Sequence, residues 1–253
     1  MLIILHKIFI LRDLSKVEVC FSPATYQRFH NKEANVVVVD ILRATSAMCT
    51  AFMNGVKSII PVATLEEAQQ LKQQGYLTAA ERDGIKPDFS DFGNSPFNFT
   101  KERICGRDVV YSTTNGTMAV NMAKDCNRVL IGSYLNIDAL AQLLIKDQKD
   151  VVIFCSGWKD RFSLEDSVFA GALGSKLLES KHFDSNCDSL VATIDLWSIA
   201  QLNLIKYIQK AAQRERLKKN GLDDSIEYCH TLNLTDIIPC YIGGKLVSIN
   251  DCE

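Results

Sequence analysis

The motifs that settle a function at sight are missing from these 253 residues. No Gly-x-x-x-x-Gly-Lys stretch is present, so a Walker-type nucleotide loop is excluded. The run "VVVVD" ends in Asp40, but Ile41 and Leu42 follow, which disfavours the Asp-x-Asp arrangement of aspartyl-phosphate chemistry. The four histidines stand at no ligand-like spacing from cysteine, which argues against a structural zinc site. An excess of either charge is lacking too, since 28 basic and 30 acidic side chains leave a net charge of −2. General attraction to nucleic acid or an anionic membrane is thereby excluded, and any bound anion needs a local site.

Proline is scarce, five in all, and no Pro/Gly/Ser linker, low-complexity tract or internal repeat divides the chain. We therefore expect a single α/β unit over residues 1–253. A change of pattern near residue 181 would separate a 1–180 core from a 181–253 C-terminal elaboration. The nine cysteines are scattered, with no Cys-x-x-Cys pair. Their odd number in a chain this long points to reduced thiols and a cytoplasmic protein. The N-terminal "MLIILHKIFILRDL" is interrupted by His6 and Lys7 and lacks a small-x-small cleavage site. It also falls short of the about 20 residues that span a bilayer. A first strand or an extension is expected there, without membrane association.

What the sequence does contain is strand–helix alternation. "VVVVD" is β-branched and continuous, as in a strand buried on both faces. In "ATSAMCTAFMNG", Ala44, Ala47, Met48, Ala51 and Phe52 share one helical face, with Gly55 just beyond. "SIIPV" reads as a strand, and "TLEEAQQLKQQG" as a helix with a Thr64–Glu67 capping box that stops at Gly75. "DVVYS", a helix over 115–124, "RVLIGS", a helix over 137–145, "DVVIFCSG" and a helix over 164–178 continue the pattern. This spacing predicts a mainly parallel sheet flanked by helices in a Rossmann-like three-layer α/β arrangement. A smaller C-terminal elaboration follows: residues 190–219 look helical, and "IIPCYIGGKLVSIN" looks like two strands joined at Gly243–Gly244. Apolar positions over 190–208 would serve a homo-oligomer interface as readily as a core. Residues 83–103 lack periodicity, and long irregular stretches inside compact domains are often functional.

Ligands of open parallel sheets bind beyond the carboxyl ends of strands, which selects four polar groups. The first is "DILRAT", with Asp40 for a metal or a proton and Arg43 for a bidentate anion contact. Asp40 could equally cap the following helix and pair with Arg43. The second is Glu81–Arg82. The third is "STTNGT", residues Ser112, Thr113, Thr114, Asn115, Gly116 and Thr117, whose amides at a helix N-terminus exceed what capping needs and suit an anion. The fourth is "CSGWKDRFSLED". Glu165 and Asp166 beside Lys159 and Arg161 suit a hydrated Mg²⁺, although Ser163 and Asp166 also read as a capping box. Cys155 and Arg161 match the Cys-x₅-Arg spacing of cysteine phosphatases. Asp160, the bulky Trp158 and Lys159, and Phe162 after the arginine count against that role.

Taken in order, "VVVVDILRATSAMCTAFMNG", "AERDG…FGNSPFNF", "STTNGTMAV", "IGSYLN" and "CSGWKDRFSLEDSVFAGA" resemble the motifs of the 2-phosphosulfolactate phosphatase family. The resemblance runs from about Val36 to Ala172 and continues more loosely through "NGLDDSIEYC" and "IIPC". It implies a Mg²⁺-dependent phosphatase acting on phosphate monoesters of 2-hydroxy acids. The founding reaction converts 2-phosphosulfolactate to sulfolactate and phosphate on the route to coenzyme M. Asp83 stands where the family usually carries glycine.

On this basis Asp40, Arg43, Glu81, Arg161 and Asp166 are the expected catalytic residues. Asp40, Glu81, Glu165 and Asp166 are the expected Mg²⁺ ligands. Arg82, Asn94 and the residues of "STTNGT" would hold a small anionic phosphorylated substrate. Two rivals remain: a metal-independent phosphatase using Cys155 and Arg161, and a non-catalytic binding protein for a phosphorylated metabolite.

Overall fold

The computed structural model describes residues 14–249; the N-terminal apolar stretch, expected as a strand or extension, lies outside the described residues apart from Leu14. The strands are β1 (Ser15–Cys20), β2 (Asn35–Val39), β3 (Ser58–Pro61), β4 (Leu77–Ala80) and β5 (Asp108–Ser112). They continue with β6 (Arg128–Gly132), β7 (Val151–Cys155), β8 (Phe183–Asp184), β9 (Pro239–Ile242) and β10 (Lys245–Ser248). All ten form one sheet in the order β4-β5-β3-β10-β9-β6-β2-β7-β1-β8. The helices are α1 (Ala44–Met53), α2 (Leu65–Gln73), α3 (Lys101–Ile104), α4 (Gly116–Ala123) and α5 (Ile137–Asp147). They continue with α6 (Leu164–Glu179), α7 (Asp188–Ala200), α8 (Leu204–Ile208), α9 (Ala212–Lys219) and α10 (Ile226–Cys229).

The expected three-layer α/β architecture follows from the valine run. β2 pairs in parallel with β6 on one side and β7 on the other. Its alternate side chains therefore enter opposite layers. Val37 and Val39 join a core with residues of α5, α6 and α7, whereas Val36 and Val38 join a core with residues of α1 and α4. Both faces of the strand are dry, which is why it reads as a continuous β-branched run.

The C-terminal hairpin lies inside this sheet. β9 and β10 pair with each other, β10 pairs with β3, and β9 pairs with β6, all antiparallel. They join two parallel sets, β4-β5-β3 and β6-β2-β7-β1-β8. Three antiparallel joints separate the sets, so β2 and β3 run in opposite senses. Sheet twist of about 20–25° per neighbouring pair turns one set against the other. Loops from the carboxyl ends of both sets thereby reach a common pocket.

Several local expectations change in detail. α1 is buried almost all round, not on one face. Its alanines and small polar residues let the turns at 96–98 and 134–136 pack on the side the pattern left polar. The capping box of α2 forms as read, with Thr64 and Glu67 exchanging hydrogen bonds of 3.1 Å. That of α6 forms only in half: Ser163 Oγ accepts from the Asp166 amide, but the Asp166 carboxylate turns to other partners. The helical region over 190–219 is three helices, and the second is capped by Asn203, whose side chain accepts from the Lys206 amide. Residues 83–103 are ordered by Asp91, which accepts from Lys72 Nζ (2.5 Å) and the Thr78 amide (2.9 Å). Burial of Phe92 and Phe99 anchors the same loop.

The α6–α7 packing depends on backbone approach. A Cβ at Gly171 would stand 1.9 Å from the Thr193 carbonyl oxygen, a backbone atom that cannot swing aside. One at Gly174 would meet only Leu190 Cδ1, at 2.3 Å, the tip of a side chain that can rotate. Gly171→Ala is expected to destabilise the protein by about 1–3 kcal/mol through this clash, lowering Tm by roughly 2–4 °C per kcal/mol. Gly174→Ala is expected to cost much less. Thermal unfolding of the two variants side by side checks the difference.

Candidate active site

Four carboxylates from three different segments line one pocket: Asp40 after β2, Glu81 after β4, and Glu165 and Asp166 in the first turn of α6. Glu81, Glu165 and Asp166 are buried and Asp40 is half-buried. None of the four forms an ion pair among the described residues. For Asp40, Glu165 and Asp166 the charge is instead felt as strain on ionisation. Burial, reinforced by Glu81, raises the Asp40 carboxyl to about 7. Burial also raises Glu165. It pushes Asp166 well above the carboxylate range, with the charges of Glu165 and Asp40 adding to the effect.

Backbone amides, not cations, fix these groups. Asp166 accepts from the Ile41 amide (2.9 Å) and the Gly157 amide (3.3 Å), tying β2's loop to the loop after β7. Asp40 accepts from the Ala44 amide at 3.3 Å and from that of Gly116. Glu81 accepts from the amides of Thr114 and Gly84, both at 2.7 Å. The "STTNGT" amides are therefore engaged by anions, but the anions are the protein's own Asp40 and Glu81. Thr113 and Thr117 close the loop on itself by exchanging amide-to-hydroxyl bonds of 3.1 Å. Gly116 is needed for the close approach, since a Cβ there would lie 2.7 Å from Ala44 Cβ and 3.0 Å from Asp40 Oδ2.

The remaining candidates divide. Arg43, Asn94 and Asn115 line the pocket with the carboxylates. Arg43 is 3 % exposed; one guanidinium nitrogen donates to the Leu222 carbonyl (3.1 Å), while Nε has no partner. Asn94 accepts from the Tyr111 hydroxyl, so only its NH₂ group is free to donate to the pocket. Arg82 is turned away, donating to the carbonyls of Glu81 and Ala63 and to Ser112 Oγ. Arg161 is exposed and does not line the pocket. Asp83 sits at φ +54°, a left-handed conformation that favours glycine. Its carboxylate pairs with Lys159 at 2.7 Å, so its charge is offset by a cation.

Two lining residues had no sequence signal as site residues, Gln213 and Leu217 from α9; Trp158, within the fourth polar group, lines the pocket too. Residues 212–219 read as an ordinary charged helix end. In the fold Gln213 Nε2 donates to the Leu42 carbonyl (3.0 Å), and the Arg216 guanidinium lies 4.4 Å from the Trp158 ring centre. Arg216 is also the cation whose charge reaches Glu165. Cys155 is fully buried, and burial next to Asp166 pushes its thiol well up, keeping it protonated. A phosphatase nucleophile needs the opposite environment.

The arrangement gathers four carboxylates beside the donors of Arg43, Asn94 and Asn115. Among the described residues no three acidic, histidine or cysteine side chains form a ready-made cage. The donor set fits a hard divalent ion that keeps water and takes few carboxylates, with substrate oxygens completing its shell.

No helix among the described residues is long and apolar enough to cross a membrane. A protein of Caldanaerobacter subterraneus subsp. tengcongensis, named a probable 2-phosphosulfolactate phosphatase, is 36% identical over 237 residues, covering 90% of this chain and 98% of its own. A Thermotoga maritima protein of the same name is 36% identical over 212 residues, covering 83% and 90%. One from Clostridium beijerinckii is 33% identical over 223 residues, covering 87% and 92%. Family membership of this kind is consistent with a divalent metal cofactor and a phosphorylated small-molecule substrate. With residues 20–244 matching the family's sequence description from the end of β1 to the C-terminal hairpin, the chain belongs to the 2-phosphosulpholactate phosphatase family.

Proposed function

We propose that this chain hydrolyses 2-phosphosulfolactate to sulfolactate and phosphate with Mg²⁺ at the carboxylate pocket. The observation that carries the reading is the clustering of half-buried Asp40 with buried Glu81, Glu165 and Asp166 in one pocket, with no ion-pairing cation among the described residues. Buried charge of one sign is costly unless a partner arrives. Asp40, Glu165 and Asp166 would hold the ion, with Glu81 behind them. When bound, it would neutralise phosphate charge and favour a nucleophilic water.

The protein's own groups then position and move protons. The Ile41 and Gly157 amides hold Asp166 in place. Arg43, Asn94 and Asn115 donate to the substrate's oxygens from the pocket wall. A carboxylate of this cluster would take the proton of the attacking water. The water oxygen bonds to phosphorus as the bond from phosphorus to the ester oxygen breaks, and the released 2-hydroxy acid takes up a proton. Arg82 and the "STTNGT" loop act one step back by holding Glu81 and Asp40. Arg161, being exposed, contributes positive charge to substrate approach.

A place on the route to coenzyme M and in the cytoplasm accords with the substrate. Val191, Ile199 and Leu202 are exposed at and just beyond α7, which supports a homo-oligomer.

Phosphate release from 2-phosphosulfolactate is expected with Mg²⁺ and is expected to vanish with excess chelator; activity that survives chelation would sink the metal site. Ligand binding without release would favour the non-catalytic reading. Asp166→Asn is expected to lower kcat by about 10²–10⁴-fold, whereas Cys155→Ala is expected to leave it unchanged. Stability should also follow pH. Asp40's folded pKa lies above its unfolded value, so the folded state binds more protons between about pH 4 and 7. Metal-free protein therefore loses stability as pH rises through that window. Its Tm is expected to be higher at pH 5 than at pH 8, and added Mg²⁺ to raise Tm more at pH 8.

A further inference from the structure

A second pocket adjoins the carboxylate pocket, and Arg43, Asn94 and Gly84 line both. The rest of its wall includes Lys86, Ser95 and Leu222, with Asp224 as its one carboxylate. In contrast to the first pocket, its polar groups are mainly donors. Two of them are buried and unsatisfied: Arg43 Nε, in a side chain 3 % exposed, and Ser95 Oγ. Buried polar atoms are nearly always paired, so two orphans on one pocket wall mark a missing acceptor. Asn94 adds donors, because its oxygen is taken by Tyr111. Lys86 is held over the loop by the Ser90 carbonyl (2.8 Å) and keeps a further N–H to give.

We propose that this second pocket seats the substrate's non-reacting strong-acid group, sulfonate or carboxylate, while the phosphoryl group lies among the carboxylates. The inference rests on the phosphatase reading above and deepens it. The shared residues explain the coupling: Arg43 and Asn94 stand between the two pockets, so one substrate would reach both across them. A phosphoryl group needs the cation that the first pocket attracts, whereas an acid group that does not react needs only donors. Asp224 is the element that opposes this. Its carboxylate is 3.9 Å from an Arg43 nitrogen and its side chain is 62 % exposed, so it competes with an incoming anion from the rim.

The test compares three esters: 2-phosphosulfolactate, 2-phospholactate, which lacks the sulfonate, and 1-sulfopropan-2-yl phosphate, which lacks the carboxylate. Phenyl phosphate, with neither acid group, is the reference. The Lys86→Met/Ser95→Ala double variant is expected to lower kcat/KM about tenfold for esters that use the pocket, relative to phenyl phosphate. Which single-acid ester suffers that loss identifies the group bound. Asp224→Asn is expected to act oppositely, raising kcat/KM for the same esters several-fold. Equal losses on every ester, or a loss in Asp224→Asn confined to the acidic esters, would overturn the assignment. Sulfolactate binding by calorimetry reads the pocket without turnover. It is expected to weaken in the double variant, and unchanged affinity would overturn the proposal even if no ester were hydrolysed. Failure of hydrolysis alone would count against the phosphatase reading and not against the pocket.

Discussion

Holding several acids together under cover, with no cation of the protein's own between them, is the constraint from which the rest of this structure follows. An arginine or lysine salt bridge would have satisfied Asp166 or Glu81 cheaply. It would also have filled the place a metal or a phosphoryl group needs. The fold uses uncharged N–H groups instead, those of Ile41, Gly157, Thr114, Gly84, Ala44 and Gly116. Amides fix the direction of a carboxylate without cancelling its charge. The shift of Asp40 towards neutrality is the visible cost of that choice.

The same constraint explains the loops. Asp40, Glu81 and Asp166 are each bonded by an amide from a distant segment, so the loops after β2, β4, β5 and β7 are mutually fastened. Several basic residues nearby have other partners and form no ion pair with the four acids among the described residues. Lys159 is spent on Asp83, Arg82 on carbonyls, and Arg216 on the Trp158 face. Asp83 shows how local the compensation is. A carboxylate at a position of left-handed backbone, where glycine would be easier, brings charge towards an anion site, and the neighbouring loop supplies Lys159 to offset it.

Much of this was legible in the sequence because burial writes itself into composition. The valines of β2, the Thr64–Glu67 box and the strand-to-helix punctuation located the layers, and polar residues just past each strand located the pocket. What could not be read depends on long-range partners. Asp166 three residues after Ser163 looks like half of a capping box, and only Ile41, 125 residues earlier, reveals that its carboxylate is needed elsewhere. The "STTNGT" amides looked free for an outside anion because Glu81 and Asp40 are remote in the chain. Gln213 and Leu217 sit in a helix whose charged pattern fits any surface. β1 was invisible for a related reason: "SKVEVC" is short and half polar, and its place beside β7 comes from the sheet.

The position of β9 and β10 gives the molecule a direction in time. Among the described residues, the two parallel sets of strands, and with them the loops that carry Asp40 and Glu81, are joined along the sheet only through residues 239–248. On the ribosome those residues emerge after both sets have been synthesised. Until then each half exposes an unpaired strand, β3 or β6, to whatever edge it meets. The sheet is closed by strands made later than those they join, much as an arch stands only once its middle stone is set.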